Sequence, residues 1–329
     1  MPDTILRVIN ISKKFSDNLV LDNINLDIKS GEIFGIIGLS GSGKTTLLNT
    51  IIGFLEPDMG DIRFKLEHLL DYGEDKPQFM SVFKNRADAK RSFGFAAQDP
   101  SFYQQLTSKE NLEYFGKLYN ISKDILRTNI DILLKLMGLY GFQDILAKNL
   151  SGGMQKRLDI ACALIHDPKI LILDEPTSDL DPILRKQMWG LIKEINRKGT
   201  TIILSSHFLD EIEILCNRVG ILYKGKIIIS GTPDEIKNYY SKDVEIKIET
   251  TPGNYSKIIK AIHATNKKDS LGIEKAEISD NKIIVFTKKP EKSLYRVLNI
   301  IDSNNEKLVD LDLDKPSLSE VLQSITKKD

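Results

Sequence analysis

One short segment limits the possible folds of this chain more than any other. Residues 38–45 read Gly-Leu-Ser-Gly-Ser-Gly-Lys-Thr and match G-x-x-x-x-G-K-[ST] at every fixed position. They follow a short apolar run, Ile33–Ile37, which is typical of a strand buried on both faces, and precede a helical pattern over Thr45–Ile52. Strand, glycine-rich turn and helix form the context in which backbone N–H groups and a helix N-terminus bind phosphate. The sequence therefore predicts that this segment binds the phosphates of a nucleotide.

The individual positions of this phosphate loop have separate expected roles. Lys44 is expected to reach the β- and γ-phosphates of ATP, and the Thr45 hydroxyl is expected to bind Mg²⁺. The loop occurs in kinases, GTPases and ATPases, so it predicts a bound nucleotide without choosing the reaction. The complete set of phosphate-binding residues predicted here is Gly38, Ser40, Gly41, Ser42, Gly43, Lys44, Thr45 and Thr46.

A second segment narrows the reaction. Residues 170–173 are continuously apolar and are followed by Asp174 and Glu175. This pattern predicts a buried strand that carries two carboxylates to the edge of a sheet. Asp174 is expected to bind Mg²⁺, and Glu175 to polarise a water molecule that attacks the γ-phosphate. These two carboxylates favour hydrolysis of a nucleotide with Mg²⁺ as cofactor, and the resemblance described below implies that the nucleotide is ATP.

The segment LSGGMQKR, which begins at Leu150, predicts a second anion site, because Ser151 can cap a helix whose first turn is rich in glycine. With these motifs the chain resembles the ATP-binding cassette (ABC) proteins over about residues 5–238. Their signature reads LSGGQ; here it is LSGGM. The resemblance implies a head-to-tail dimer in which the signature of one subunit binds the ATP held by the phosphate loop of the other. The signature residues implied are Ser151, Gly152, Gly153 and Gln155.

Four further positions take their expected roles from this resemblance. Phe15, before the second strand, lies where the family stacks an aromatic ring on adenine. Gln98 corresponds to a glutamine that contacts Mg²⁺ and the attacking water and couples to the membrane subunit. The segment SDLD, ending at Asp181, corresponds to a loop that crosses the dimer interface next to the nucleotide. Asp179 stands where the family usually has a small residue. His207, directly after a strand, corresponds to a histidine that contacts the γ-phosphate.

Together these residues imply a complete catalytic set. Lys44, Mg²⁺ and the signature of the partner subunit are expected to offset charge on the transferring phosphoryl group. Glu175 is expected to act on the water, oriented with Gln98 and His207. ATP would close the dimer and hydrolysis would let it open. His166 is expected to be structural, as a histidine near the end of the signature helix that interacts favourably with the helix dipole.

The rest of the pattern predicts an α/β fold with two domains. Residues 1–239 are expected to form a P-loop ABC ATPase core, with a mixed sheet, an antiparallel β subdomain and a helical subdomain at about 99–165. The polar stretch at about 64–92 is interpreted as a solvated loop or insertion. At 240–329 the order β-α-β-β-α-β predicts a small ferredoxin-like α+β accessory domain.

The composition of the chain limits the kinds of partner and ligand that it is expected to bind. The chain has 46 Lys+Arg and 46 Asp+Glu, a balance that does not favour nucleic acid. Cys162 and Cys216 lie in apolar stretches, and neither they nor the four histidines have metal-ligand spacing. No apolar run approaches the ~18 residues that a membrane span needs. The resemblance then implies a cytoplasmic chain at the inner face of the cell membrane, bound to a separate transmembrane permease and to a second ATP-binding subunit, as in a homodimer.

Two other functions stay open at this point. One is a non-transport ABC ATPase that acts on ribosomes or nucleic acid, although such proteins usually carry two cassettes or a cassette split by a coiled coil. The other is a small-molecule kinase, which would lack LSGGM and a histidine like His207. The segments Ser101–Leu112 and Lys315–Leu322 resemble those of ABC-2 exporters. We therefore expect export, with the cargo selected by the membrane subunit.

Overall fold

The computed structural model describes residues 3–65, 79–240, 244–269, 272–279, 282–314 and 317–326. The chain divides into two units, Met1–Pro233 and Asp234–Asp329. This division comes a few residues before the boundary expected from the sequence, so helix α8 (Pro233–Tyr240) falls almost entirely in the second unit.

A six-stranded sheet in the order β10-β9-β3-β8-β7-β6 forms the centre of the first unit. The strands are β3 (Ile33–Ile37), β6 (Phe93–Ala96), β7 (Ile170–Asp174), β8 (Thr201–Ser206), β9 (Arg218–Tyr223) and β10 (Lys226–Gly231). Five of them run parallel, and β10 pairs antiparallel with β9 at one edge. Every residue of β3, β7 and β8 is buried, as expected for parallel strands covered on both faces. The predicted mixed α/β sheet is confirmed.

A second, antiparallel sheet has the order β2-β1-β4-β5. Its strands are β1 (Thr4–Phe15), β2 (Asn18–Lys29), β4 (Met59–Lys65) and β5 (Phe79–Ser81). One cluster of buried apolar side chains joins this sheet to the central sheet and to helix α1 (Lys44–Ile51). Because α1 shares this core, the phosphate loop that precedes it is held between the two sheets.

Residues 79–92 do not form the solvated loop expected from the sequence. Phe79–Ser81 pairs with β4, and helix α2 covers Arg86–Ser92. Val82 and Ala89 are buried in the core shared by the two sheets. The interpretation is wrong for this part because a few apolar side chains anchor it, too few to produce a periodic pattern. The prediction for residues 66–78 lies outside the described residues.

Further helices follow β6, and the first three of them fall in the segment predicted to be helical at about 99–165. They are α3 (Ser108–Leu118), α4 (Lys123–Leu136), α5 (Gly152–Leu164), α6 (Pro182–Arg197) and α7 (Leu209–Leu215). A reciprocal capping box between Thr107 and Glu110 begins α3. The seven-residue α7 was not expected from the sequence. Among the described residues, no helix combines the length and apolarity that crossing a membrane requires.

After α8, the second unit has the predicted order β-α-β-β-α-β, followed by a helix. Its elements are β11 (Val244–Thr251), α9 (Tyr255–Asp269), β12 (Ile273–Ser279), β13 (Lys282–Thr287), α10 (Pro290–Ser303), β14 (Lys307–Asp314) and α11 (Leu318–Thr326). The sheet order is β12-β13-β11-β14, with every pairing antiparallel. This is the ferredoxin-like arrangement. The turn expected at residues 280–281 lies outside the described residues.

Candidate active site

The predicted catalytic residues follow three neighbouring parallel strands. β8 lies between β3 and β7, with Ile37 opposite Ser206 and Asp174 opposite Ser205. The phosphate loop follows β3, Asp174 ends β7, and His207 follows β8. Because the carboxyl ends of parallel strands meet at one edge of a sheet, the fold brings these residues together.

The phosphate loop is shaped to accept an anion. Gly43 precedes α1 in a left-handed conformation, with φ of 102°, and no side chain caps the helix. A Cβ on Gly38 would lie 2.3 Å from the carbonyl oxygen of Leu222, so this position requires glycine. The Ser42 hydroxyl is buried and has no hydrogen-bond partner among the described residues. An uncapped helix end and an unpaired buried hydroxyl both fit a loop that binds phosphate.

Lys44 is buried within this loop. Its Nζ donates hydrogen bonds to the carbonyl oxygens of Gly38 at 3.1 Å and Leu39 at 3.3 Å. The same atom lies 3.8 Å from Oε1 of Glu175, and only 7% of the lysine side chain is exposed. A buried ammonium group needs such partners. Lys44 therefore connects the phosphate loop to the carboxylate that follows β7.

Ser205 contacts both acidic residues, the carboxylate of Asp174 and the backbone of Glu175, and was not identified from the sequence. Its hydroxyl donates to Oδ1 of Asp174 at 2.5 Å and accepts from the backbone N–H of Glu175 at 3.1 Å. Asp174 is 2% exposed, and a carboxylate so buried needs a hydrogen-bond donor. A serine that ends an apolar strand is the only signal the sequence offers for this role. Glu175 has φ of 50°, a strained conformation for a residue other than glycine.

Glu175 and His207 form a hydrogen-bonded pair. Nδ1 of the imidazole lies 2.7 Å from Oε2 of the carboxylate; the Glu175 side chain is 15% exposed and that of His207 is 47% exposed. Since a carboxylate accepts hydrogen bonds, Nδ1 carries the proton and Nε2 stays available to a ligand. The imidazole also packs against the ring of Phe208, with 4.0 Å between centroids.

The predicted Mg²⁺ ligands Thr45 and Asp174 belong to neighbouring parts of this edge. Thr45 is exposed in the first turn of α1, and Asp174 ends β7. In the described part of the chain, no group of three His, Cys, Asp or Glu side chains could hold a metal ion by itself. The set present, one hydroxyl and one carboxylate, fits Mg²⁺ that takes its other ligands from phosphate oxygens and water.

Gln98 lies beyond the same edge of the sheet. It follows β6, whose Ala96 is opposite Leu173 of β7. Its backbone carbonyl accepts a hydrogen bond from Lys156, while its exposed side chain makes none with the described residues. The structure therefore places Gln98 next to the strand that carries Asp174, without bringing its amide into contact with the other site residues.

Phe15 ends β1 beside the phosphate loop. Its ring is 48% exposed, and Lys13 Nζ lies 5.8 Å from the ring centroid. The hairpin of β1 and β2 approaches the loop closely, since a Cβ on Gly43 would lie 3.1 Å from the carbonyl oxygen of Val20. An exposed aromatic face here can stack on a flat base.

The signature segment begins α5. The Ser151 hydroxyl accepts a hydrogen bond from a backbone N–H at 3.4 Å, and both Ser151 and Gly152 are exposed. The Gln155 amide donates to the carbonyl oxygens of Ala147 at 3.1 Å and Leu150 at 3.3 Å. Gln155 thus shapes the loop before Ser151, and its expected contact with a nucleotide stays a prediction.

Asp181 likewise has a local structural role. Its Oδ1 accepts from the backbone N–H groups of Ile183 and Leu184 at 2.9 Å each, so it caps α6. The expected contact of Asp181 with the nucleotide stays a prediction. Gly153 is buried nearby, and a Cβ at this position would lie 3.2 Å from the side chain of Leu184. Asp179 is exposed and has φ of 63°, a conformation that aspartate tolerates better than most residues.

His166 has a structural role, as expected, but it does not interact with the helix dipole as a cation. Its Nε2 donates to the carbonyl oxygen of Phe93 at 3.1 Å, and its ring stacks on Tyr119 with 3.7 Å between centroids. Burial lowers the pKa of His166 to about 4. The imidazole is therefore neutral near pH 7 and acts through packing and one hydrogen bond, not as a cation that interacts with the helix dipole.

Comparisons with known proteins identify the family of this chain. Residues 21–178 match the ABC transporter family. The bacitracin transport ATP-binding protein BcrA of Bacillus licheniformis is 36% identical over 246 residues, which are 74% of this chain and 75% of BcrA. The ABC transporter ATP-binding protein YbhF of Escherichia coli is 34% identical over 268 residues, which are 82% of this chain but 43% of YbhF.

A solved structure shares the fold. It is a dimeric ATP-binding cassette in a post-hydrolysis state bound to ADP and Pi, 27% identical, with a TM-score of 0.59 over 69% of this chain and 98% of that one. The resemblance seen in the sequence is therefore confirmed: this chain belongs to the ABC transporter ATP-binding proteins.

Proposed function

We propose that this protein binds ATP with Mg²⁺, hydrolyses it, and so drives export through a separate membrane subunit. One observation carries the proposal. The Glu175 carboxylate lies 2.7 Å from Nδ1 of His207 and 3.8 Å from Nζ of Lys44. It stands beside the phosphate loop, and none of the described side chains caps the helix that follows this loop. A carboxylate held in this way at a phosphate site is suited to act on a water molecule.

Nucleotide binding follows from the loop and the hairpin next to it. The N–H groups in the first turn of α1, the ammonium of Lys44 and the free hydroxyl of Ser42 would donate to the phosphates. The exposed ring of Phe15 would stack on the base. Thr45 and Asp174 would hold Mg²⁺, which when bound offsets the negative charge of the phosphates.

In the hydrolytic step, Glu175 accepts a proton from the attacking water. Lys44 and His207 hold the two carboxylate oxygens from different sides, so the direction of the carboxylate is fixed before the water arrives. Nε2 of His207 is left to donate to, or accept from, groups at the γ-phosphate. Gln98 would complete the site by a movement that brings its amide toward the ion and the water.

A second subunit would complete the site. Within the described residues, the segment Ser151–Gly153 makes no hydrogen bond or ion pair with Lys44, Glu175 or His207. The exposed first turn of α5 is therefore available to a nucleotide bound by another cassette. The dimeric state of a cassette with the same fold supports this arrangement. Since this chain carries both halves of the site, a homodimer would have two complete sites.

The membrane subunit is proposed to dock in an apolar groove of about 590 Å³ that extends from α1 to the end of β6, close to Gln98. Phe54, which is 68% exposed, and Phe95 meet edge to face along it, and Phe115 and Tyr119 line it further along. An apolar groove of this size suits a short helix with an apolar face. A relative named for Nod factor export supports the direction of transport, and the chain would then act at the inner face of the membrane that holds this subunit.

Copurification from detergent-solubilised cells tests the transport role. We expect a polytopic membrane protein in a fixed ratio to the tagged chain; ribosomes or DNA in its place would contradict transport. Phe54→Asp is expected to lose the membrane protein and keep ATP binding. Met59→Asp, at a residue that is 69% exposed, is the matched control and should retain the membrane protein.

A further inference from the structure

Glu211, in α7, is buried between the two segments that carry the proposed catalytic pair. Its side chain is 0% exposed, and its Oε2 accepts from Thr177 Oγ1 at 2.8 Å and from Ser206 Oγ at 2.6 Å. Thr177 lies two residues after Glu175, and Ser206 lies directly before His207. A single carboxylate oxygen therefore links the segment after β7 to the end of β8.

The residue after His207 is held by the same group of contacts. The Ser206 hydroxyl, which donates to Glu211, also accepts from the backbone N–H of Phe208 at 3.0 Å. The Phe208 ring packs against the imidazole on one side, and the guanidinium of Arg185 lies 3.7 Å from its centroid. His207 is thus flanked on both sides by residues whose positions depend on this cluster.

A buried carboxyl group such as that of Glu211 is unusual in a protein core. Burial raises the pKa of Glu211. The hydrogen bonds from Ser206 and Thr177, together with the nearby Trp189 and Arg185, lower this pKa by less than burial raises it. An apolar side chain could fill a buried position without the cost of desolvating a carboxyl group. What an apolar side chain cannot provide is an acceptor that fixes two hydroxyl groups from two different segments at once.

We propose that Glu211 is a positioning residue for ATP hydrolysis: by holding Thr177 and Ser206 on one oxygen, it keeps Glu175 and His207 aligned with each other and with the phosphate loop. The inference rests on the proposed roles of Glu175 and His207. Glu211 makes no hydrogen bond with the phosphate loop or with Phe15 among the described residues. Its loss should therefore affect the rate of the chemical step and spare nucleotide binding.

Two substitutions of Glu211 separate positioning from general stabilisation. Glu211→Ala removes the shared acceptor, and misplacement of the pair by about 1 Å should lower kcat about 10- to 100-fold while KM for ATP stays nearly constant. Glu211→Gln retains an amide oxygen that can accept from both hydroxyl groups, so kcat should stay close to that of the unsubstituted protein. Glu32→Ala is the control: it removes a carboxylate that is 7% exposed and paired with Arg218 at 3.0 Å, and should lower stability without lowering kcat.

Further variants keep the test decisive if Glu211→Ala does not fold. Thr177→Val and Ser206→Ala each remove one donor, and each should lower kcat with little change in KM. In a double-mutant cycle, adding Ser206→Ala to His207→Ala should lower kcat little further, because Ser206 acts through the same histidine, whereas adding Thr177→Val should lower it again, because Thr177 lies on the Glu175 side.

The outcomes distinguish this inference from the proposed function. If Glu175→Gln and His207→Ala hydrolyse ATP at the normal rate, the proposed active site is wrong. If those two are inactive but kcat is normal in the Glu211, Thr177 and Ser206 variants, only the positioning role is overturned. A Glu211→Gln variant as slow as Glu211→Ala, or a rise in KM that accounts for the loss of activity, would also overturn it.

Discussion

Oε2 of Glu175 lies 2.7 Å from Nδ1 of His207, so one hydrogen bond joins the residue after β7 to the residue after β8. The other carboxylate oxygen faces Lys44 of the phosphate loop at 3.8 Å. Three segments that are far apart in the sequence therefore meet at one carboxylate. The predictions below test what each of these contacts contributes.

Replacement of His207 by alanine should slow hydrolysis and leave ATP binding largely intact. The imidazole orients Glu175 and presents Nε2 to the ligand, whereas the phosphate loop provides most of the binding contacts. We expect kcat to fall about 100-fold or more, in the range of acid–base and orientation effects, with a small change in KM. Steady-state ATPase rates measure both; His263→Ala, in the second unit, is the control. A normal kcat for His207→Ala would remove the histidine from the mechanism.

Replacement of Ser205 by alanine should weaken Mg²⁺ binding. The Ser205 hydroxyl donates to Oδ1 of Asp174 at 2.5 Å, and loss of a hydrogen bond that orients a metal ligand typically costs 10- to 100-fold in affinity. The Mg²⁺ concentration that gives half-maximal ATPase activity should rise by about this factor. Ser303→Ala provides a serine control remote in sequence from the site. An unchanged Mg²⁺ requirement would show that Asp174 does not need this hydroxyl.

Replacement of Lys44 by alanine should weaken nucleotide binding itself. The ammonium lies within the loop and is 7% exposed, so its hydrogen bonds to phosphate would form away from bulk water. Losing charge-assisted hydrogen bonds should lower ATP affinity about 10- to 100-fold. Equilibrium binding of a fluorescent ATP analogue measures this, with Lys135→Ala on the outside of α4 as the control. Wild-type affinity in Lys44→Ala would contradict the role assigned to the loop.

His166 should make the stability of the protein depend on pH. Burial lowers its pKa from 6.5 in the unfolded chain to about 4 in the folded one. The unfolded state thus binds the proton more readily, so the contribution is complete above about pH 6.5 and is lost as the pH falls toward 4. Between pH 7 and pH 5 the loss should be about 2 kcal/mol.

Urea unfolding of the wild type and of His166→Phe at both pH values measures this contribution. The substituted ring can still stack on Tyr119 and cannot titrate, so the variant should lose less stability on acidification than the wild type. Equal losses in the two proteins would show that His166 titrates normally in the folded state.

The local sequence was sufficient to predict which candidate site residues lie at or shortly after the end of a strand. Lys44, Asp174, Glu175 and His207 each follow or end a short apolar strand, and parallel pairing brings such ends together. The central strands were also predictable, because the patterns of β3, β7 and β8 are continuous and apolar, whereas β5, α2 and α7 were not expected from the sequence.

The directions of side chains could not be predicted in the same way. Gln155 and Asp181 form hydrogen bonds with their own loop and helix, and no motif distinguishes this from contact with a ligand. Ser205 and Glu211 acquire partners only when separate segments meet in the fold. The neutral state of His166 likewise depends on its burial in the fold, which the sequence around it does not show.

ATP turnover by Glu175→Gln tests the central claim most directly. The amide can accept a hydrogen bond from His207 but is a far weaker base, so the site should keep its shape and lose proton acceptance. We predict that the variant binds ATP with wild-type affinity, hydrolyses it about 100-fold or more slowly, and accumulates as an ATP-bound dimer. Hydrolysis at the wild-type rate would contradict the assignment of Glu175 as the residue that acts on the attacking water.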